Sequence, residues 1–327
     1  MSAGERRPTI FDVAERAGVS RQTVSRALND MAGISPATRE RVLEAVRELN
    51  YRPSRFGRGL VEQGPTTLGL VIMDLSNAYY AELGAAVVRE CSTRGWNVVL
   101  AEADHAPQPD TVATELARRV DAIVGYGVLT SGIREGAGMP VVRLDGSADQ
   151  VDSAGVVELT MSGAMRELAV HLRDVGVRRP VVLDLAGGGI GERARELAAA
   201  LGPLTQDGEA AIHEVDARSG HREALERALA TGADALVAFN DELAVRLLRT
   251  LHSMDVAVPD QVRLVGIDGL EISALVRPEL TTLSIDIGAL ARETVELVAG
   301  MLEGTTPLSG EQAHRVVPYR LEVRGST

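Results

Sequence analysis

The chain contains no lysine: all 34 cationic side chains in its 327 residues are arginines. Any cationic contact to a phosphate backbone must then come from a guanidinium, which offers paired donors rather than a point charge. Cysteine is almost absent as well. The single Cys91 excludes an internal disulfide framework, and its place in an apolar helical stretch predicts a buried, inert thiol. No run approaches the roughly 18 to 20 apolar residues that span a bilayer. No apolar leader follows Met1, so a cytoplasmic protein is expected, with no membrane partner. Also missing are G-x-x-x-x-G-K-[ST], G-x-S-x-G and H-E-x-x-H. The six histidines are scattered without metal-ligand spacing, and the glycine run at 187–191 is not the spaced dinucleotide fingerprint. These absences predict no catalytic residues, no metal and no cofactor, and therefore no enzyme.

The net charge of −12 is unevenly placed. Residues 1–64 hold 11 Arg against 8 Asp and Glu, a net +3, which leaves −15 for the remainder. A basic tip on an acidic body concentrates attraction for nucleic-acid phosphates at one end and discourages contact elsewhere.

That basic tip carries the most specific pattern. Thr9 with Asp12 three residues on is a capping arrangement, and Ile10, Val13, Ala14 and Ala17 follow at helical spacing. Gly18 supplies a left-handed stop, Val19 plugs the corner and Ser20 caps the next helix. In that second helix Val24, Ala27 and Leu28 face inward, while Arg21, Gln22, Ser25, Arg26 and Asn29 fall on the opposite side. Arg and Gln can make paired hydrogen bonds to guanine and adenine edges. Ser35 and Pro36 start a third helix whose Val42, Leu43, Val46 and Leu49 are expected to close a three-helix core.

The run from Thr9 to Pro53 closely resembles the DNA-binding headpiece of the lactose-repressor (LacI/GalR) family. The resemblance rests on Asp12-Val13-Ala14, Ala17-Gly18-Val19-Ser20, Thr23-Val24-Ser25-Arg26, Thr38-Arg39-Glu40 and Leu49-Asn50-Tyr51-Arg52-Pro53, and weaker matches reach the C-terminus. It implies a dimeric transcription regulator whose grip on double-stranded operator DNA is altered by a small molecule. The residues expected at DNA are Thr9, Ser20, Arg21, Gln22, Thr23, Ser25, Arg26 and Asn29, joined by Arg55 and Leu60 of the following segment. That segment, residues 53–60, can form about two helical turns, too short and too rich in glycine to be stable alone. In the resembling family a hinge helix here inserts a leucine into the minor groove, and Leu60 matches that residue.

From Thr67 the pattern changes to short apolar runs alternating with amphipathic helices, which predicts doubly wound parallel sheets. There are too many units for one sheet, so two subdomains facing a cleft are expected. The resemblance adds a periplasmic-binding-protein-like topology in which the chain crosses between subdomains three times. The expected organisation is an all-α helix-turn-helix headpiece (1–52), a hinge (53–64) and an α/β effector-binding and dimerisation domain (65–327). Its first subdomain would hold about 65–155 and 286–316, and its second about 156–285 and 317–327.

Ligands of such sheets sit at the carboxyl ends of strands. Tyr79 or Tyr80 could stack on a flat ligand or a sugar face. The resemblance places Arg195 at the arginine that holds effector oxygens, and Asn240 and Asp268 at further cleft positions. Asn240 and Asp241 are equally placed to cap the helix that follows. Leu159 and Gly269 stand where the family usually carries aspartates, and Val177 where a histidine is common, which argues for a changed ligand. The sequence thus predicts a repressor acting as a homodimer on a near-palindromic operator. A sugar-like or other polar metabolite is its expected effector. Nothing resembling leucine heptads follows Tyr319, so a dimer is preferred to a tetramer.

Overall fold

The computed structural model describes residues 10–28, 34–49, 65–104, 109–117, 119–127, 139–145, 153–187 and 189–327. Three helices open the chain: α1 (Ile10–Ala17), α2 (Arg21–Leu28) and α3 (Pro36–Glu48). Gly18 takes φ +65° and its successor Val19 donates back to the Ala14 carbonyl at 3.0 Å, so the chain turns sharply out of α1. Ser20 Oγ then accepts from Thr23 N at 3.1 Å and starts α2. Ser35 does the same for α3, accepting from Thr38 N with Pro36 in the first turn. Val13, Ala14, Val24, Ala27, Val42 and Ala45 form the small core between them. Leu43, expected in that core, is 39% exposed, because it follows the inward Val42 by one residue and so turns about 100° away.

Among the described residues the remainder builds two six-stranded sheets. The first contains β1 (Thr67–Ile72), β2 (Asn97–Glu102), β3 (Ala122–Gly125), β4 (Val141–Leu144), β5 (Gly155–Thr160) and β11 (His314–Pro318), in the order β11-β5-β4-β3-β1-β2. The second contains β6 (Pro180–Leu185), β7 (Ala211–Val215), β8 (Ala235–Ala238), β9 (Arg263–Asp268), β10 (Thr281–Ser284) and β12 (Arg320–Glu322), in the order β12-β10-β9-β8-β6-β7. Every pairing is parallel except β10 with β12. All six residues of β1 and all four of β3 and β8 are buried, as strands covered on both faces must be.

The covering helices are α4 (Ala78–Thr93), α5 (Pro109–Leu116) and α11 (Ile287–Glu303) on the first sheet. On the second they are α6 (Ser162–Asp174) and α7 (Glu192–Leu201) on one face, α8 (His221–Ala230) and α9 (Asp241–Ser253) on the other, with the short α10 (Glu271–Leu275) beside α9. Cys91 on α4 is fully buried, and burial pushes its thiol up to about 11. Among the described residues no helix is long and apolar enough to cross a membrane.

The chain passes between the sheets at Met161, at Ile285 and Asp286, and at Tyr319. The first passage comes later than the expected position near 156. The reason is that β5 fills a slot between β4 and β11 and so keeps residues up to Thr160 in the first sheet. The third comes after Pro318 rather than near 317. The first and third passages are tied together, since Tyr319 N donates to the Thr160 carbonyl at 2.9 Å.

Candidate DNA-contacting helix and interlobe cleft

On α2 the side chains of Arg21, Gln22 and Arg26 are exposed, and Thr23 is half-buried beside the Ser20 cap. Arg21 is not free to wander: its guanidinium lies 4.5 Å from the centroid of the exposed Phe11 ring on α1. That cation–π contact holds a cationic donor at the exposed start of α2. The sequence pattern gives Phe11 no part, although it stands beside the α1 stripe as a large apolar residue that stays exposed. Arg16 on α1 pairs with Glu48 on α3 at 2.5 Å and braces the bundle from outside. Ser25 lies on α2, with its side chain outside the described residues. Thr9, Asn29, Arg55 and Leu60 also lie outside them.

Between the sheets, at the carboxyl ends of their strands, lies a cleft of about 440 Å³ including its open mouth. Four of the chain's five tyrosines and one of its three phenylalanines line it: Tyr79, Tyr80, Tyr126, Tyr319 and Phe239. Aromatics are only 3% of the chain, so this convergence is a concentrated one. The α4 start presents two of them. Asn77 Oδ1 accepts from Tyr79 N at 3.0 Å, capping α4 so that Tyr79 and Tyr80 project from its first turn. Tyr126, one residue past β3, meets Tyr79 hydroxyl to hydroxyl. The three rings stand edge to face at centroid distances of 5.3 to 6.1 Å. Burial raises Tyr80 to about 12 and the other three tyrosines further, so all are neutral phenols at physiological pH.

The second sheet supplies Arg193, Phe239, Asn240 and Asp268. Asp184 on β6 shapes the approach to α7, accepting from Gly191 N at 2.7 Å and from Leu185 N at 3.0 Å. The glycine loop is thus pinned, and Arg193, two residues on, enters the cleft. Its guanidinium sits 5.0 Å over Phe239 and donates to the Phe239 carbonyl at 3.4 Å. Arg195, the residue expected there, is exposed on α7 instead. Two residues along a helix rotate a side chain by about 200°, so only one of the two arginines can face the cleft. Asn240 plays both roles allowed by its sequence position: it lines the cleft and its Oδ1 caps α9, accepting from Leu243 N at 2.9 Å.

Asp268 ends β9 with φ +108°, a conformation costing about 1–3 kcal/mol for a side chain with a Cβ. It is 5% exposed and faces the cleft. Burial, relieved in part by Arg193 and aggravated by Asp241 and Asp145, pushes its carboxyl up to about 8. Asp145, one residue past β4, opens onto the same space, and its carboxyl is also raised by desolvation against the opposing field of Arg193. Neither carboxylate accepts a hydrogen bond from any described residue. Asp241 differs. It is fully buried and satisfied, accepting from Thr282 Oγ1 and Leu270 N, each at 2.7 Å, and so is structural. Gly266 makes room for it: a Cβ there would lie 2.0 Å from Asp241 Oδ1. Leu159, where the resemblance would place an aspartate, does line the cleft and contributes an apolar wall.

The lips of the cleft touch. Arg218 in the β7–α8 loop donates to Ser76 Oγ at 3.1 Å, and Glu271 N donates to Glu82 Oε1 on α4 at 3.4 Å. Asp145, Tyr126, Tyr319, Phe239 and Arg193 were not expected as site residues. The first two follow strands β4 and β3 directly, so the strand-end rule would have found them.

Known proteins agree with this architecture. Residues 9–54 match the model for bacterial regulatory proteins of the lacI family, and residues 169–327 match a periplasmic binding protein-like domain. Catabolite control protein A of Streptococcus mutans is 30% identical over 333 residues, covering 98% of each chain. The chain belongs to the LacI family. Catabolite control protein A of Staphylococcus xylosus is 27% identical over 98% of this chain and 99% of that one. Among solved structures, the lac repressor dimer bound to operator and the anti-inducer ONPF is 25% identical with a TM-score of 0.68, covering 98% of this chain and 99% of that chain. A LacI-family regulator from Arthrobacter sp. FB24 in complex with lactose is 26% identical with a TM-score of 0.72, covering 80% and 99%. This LacI-family chain is accordingly a DNA-binding transcriptional regulator: its three-helix headpiece is the family's DNA-binding domain, and its two-sheet body the family's effector domain.

Proposed function

We propose that the protein is a cytoplasmic repressor that binds a near-palindromic operator as a homodimer and is controlled by a sugar-like effector in the cleft. The observation that carries the effector part is the convergence of five aromatic rings, Arg193, Asp145 and Asp268 at the facing strand ends. Aromatic faces stack on the apolar face of a sugar ring, while a guanidinium and carboxylates meet its hydroxyls. The lac repressor dimer on operator and the lactose-bound Arthrobacter regulator lend the reading support as relatives. In it Arg21, Gln22 and Arg26 contact bases or adjacent phosphates, with Ser20 and Thr23 positioning the start of α2 and Ser25 on the same helix. Thr9, Asn29, Arg55 and Leu60 complete the set, Leu60 as a wedge at the operator centre. The organisation is headpiece 1–52, hinge 53–64 and effector domain 65–327. The cleft binds without turnover, which continued recovery of intact ligand after long incubation would check.

The mechanism follows from the passages between lobes. Leu159 and Tyr319 line the cleft beside the first and third, and the Asp268 carbonyl accepts from Ile285 N of the second at 3.2 Å. A ligand therefore presses on all three connections at once, and a change in lobe angle is passed to the headpiece spacing. The test is selection of full-length protein on a random duplex library, followed by binding at several salt concentrations. The expected outcome is a twofold-symmetric site whose affinity falls steeply with salt. No preference for any symmetric duplex would end the reading.

A further inference from the structure

We infer that the effector is a monosaccharide-sized polyol bearing one ammonium group, held between Asp145 and Asp268 and against the tyrosine faces. The inference rests on reading the cleft as the effector site. Among the lining residues there are two carboxylates and one guanidinium. Arg193 stacks over Phe239 and donates to its carbonyl; it lies beyond ion-pair distance of either aspartate, and its charge offsets only part of theirs. Asp104 adds a third negative charge that bears on the Tyr80 hydroxyl. The lips add Arg218 on one side and Glu82 on the other and so leave the excess unchanged.

Asp268 is only 5% exposed and its carboxyl accepts no hydrogen bond from any described residue, so without ligand it keeps its proton up to about pH 8 and can ionise below that only with a cation beside it. An ammonium from the ligand takes the place of that proton, which leaves to solvent; a neutral sugar leaves the carboxyl protonated, and an acidic one is repelled by Asp145. The same ammonium gains from the aromatic walls, whose ring faces are negative. The hydroxyl-bearing frame uses Asn77, Asn240 and the tyrosine hydroxyls, and a cleft near the small end of ligand pockets suits one ring better than two.

The test is calorimetry and thermal shift on the full-length protein with matched pairs: glucosamine and glucose, galactosamine and galactose, mannosamine and mannose, together with N-acetylglucosamine and glucuronate. At least one amino sugar should bind about tenfold or more tightly than its neutral partner, with the N-acetyl compound and the uronate weaker still. Asp145→Asn, which removes the charge at an exposed position and keeps the side chain's shape, should weaken amino-sugar binding severalfold more than neutral-sugar binding. A neutral or acidic sugar binding as well as or better than its amino partner, with binding lost in Tyr80→Ala, overturns the ammonium inference but keeps the cleft as effector site. If no compound of any class shifts the melting curve, both fail.

Discussion

Arg193 and Arg195 are two residues apart, carry the same side chain, and have opposite surroundings. Arg193 is held over Phe239 inside the cleft, while Arg195 faces solvent. Arg193→Ala should therefore remove most effector binding, because a desolvated guanidinium and its hydrogen bonds are lost together. Arg195→Ala should change affinity by less than about twofold, as surface substitutions usually do. Effector titration of both variants by calorimetry checks the pair. Asp268 makes a second residue-scale prediction. Its carboxyl is raised from the ordinary aspartate range near 4 to about 8, so the folded state holds the proton more tightly than the unfolded chain. The stability this gives is complete below about pH 4 and is lost progressively as pH rises to about 8. Asp268→Asn removes that titration. The melting temperature of the wild type relative to the variant should thus fall between pH 5 and pH 8 in the absence of ligand. A difference that rises or stays flat across the window refutes it. Asp241, raised to about 7, slopes the same way in both proteins, so the difference reports Asp268 together with its coupling to Asp241.

At the scale of elements, α2 depends on one hydroxyl. Ser20 Oγ satisfies the Thr23 amide, and Ser20→Ala should cost the headpiece about 1 kcal/mol, read as a lower headpiece melting midpoint and weaker operator binding. Gln22→Ala leaves the helix intact and should instead relax base preference by about 1–3 kcal/mol at one position per half-site, read by competition among operator variants. Elements whose chemistry is local were legible from the sequence. The capped turn from α1 to α2 announces itself through Gly18, Val19 and Ser20, and β1, β3, β4 and β6 through apolar runs. β10 was not legible, because Thr281-Thr282-Leu283-Ser284 reads as polar. Its threonines are nevertheless buried, with hydroxyls taken up by Thr327 and Asp241, contacts 46 and 41 residues away. The site divides in the same way. Tyr79, Tyr80, Asn240 and Asp268 sit at strand ends that the pattern marks. Tyr319 reaches the cleft only because the third passage lies there, which no local window reveals, and the choice of Arg193 over Arg195 depends on the helical phase set by Gly191 and Asp184.

For the whole molecule, the decisive quantity is the balance between open and closed lobes. The structure is closed, with Arg218 to Ser76 at one lip and Glu271 to Glu82 at the other. Both contacts are exposed, and each is worth only about 0.5–1.5 kcal/mol. That modest size suits a switch, since lips that held firmly would leave the effector nothing to shift. Removing both, in Arg218→Ala with Glu82→Ala, touches no residue lining the cleft and so leaves the intrinsic ligand contacts in place. The closed fraction falls, and the apparent dissociation constant rises by the inverse of that fraction. A loss of two such contacts corresponds to roughly 5- to 150-fold at most, and to less if the closed form was strongly preferred before. Small-angle scattering of the ligand-free double variant should show a larger radius of gyration than the wild type, with saturating effector bringing the two together. Equal radii without ligand would mean that closure is set at the three passages and not at the lips. The sensor's threshold would then be encoded around Thr160, Ile285 and Tyr319.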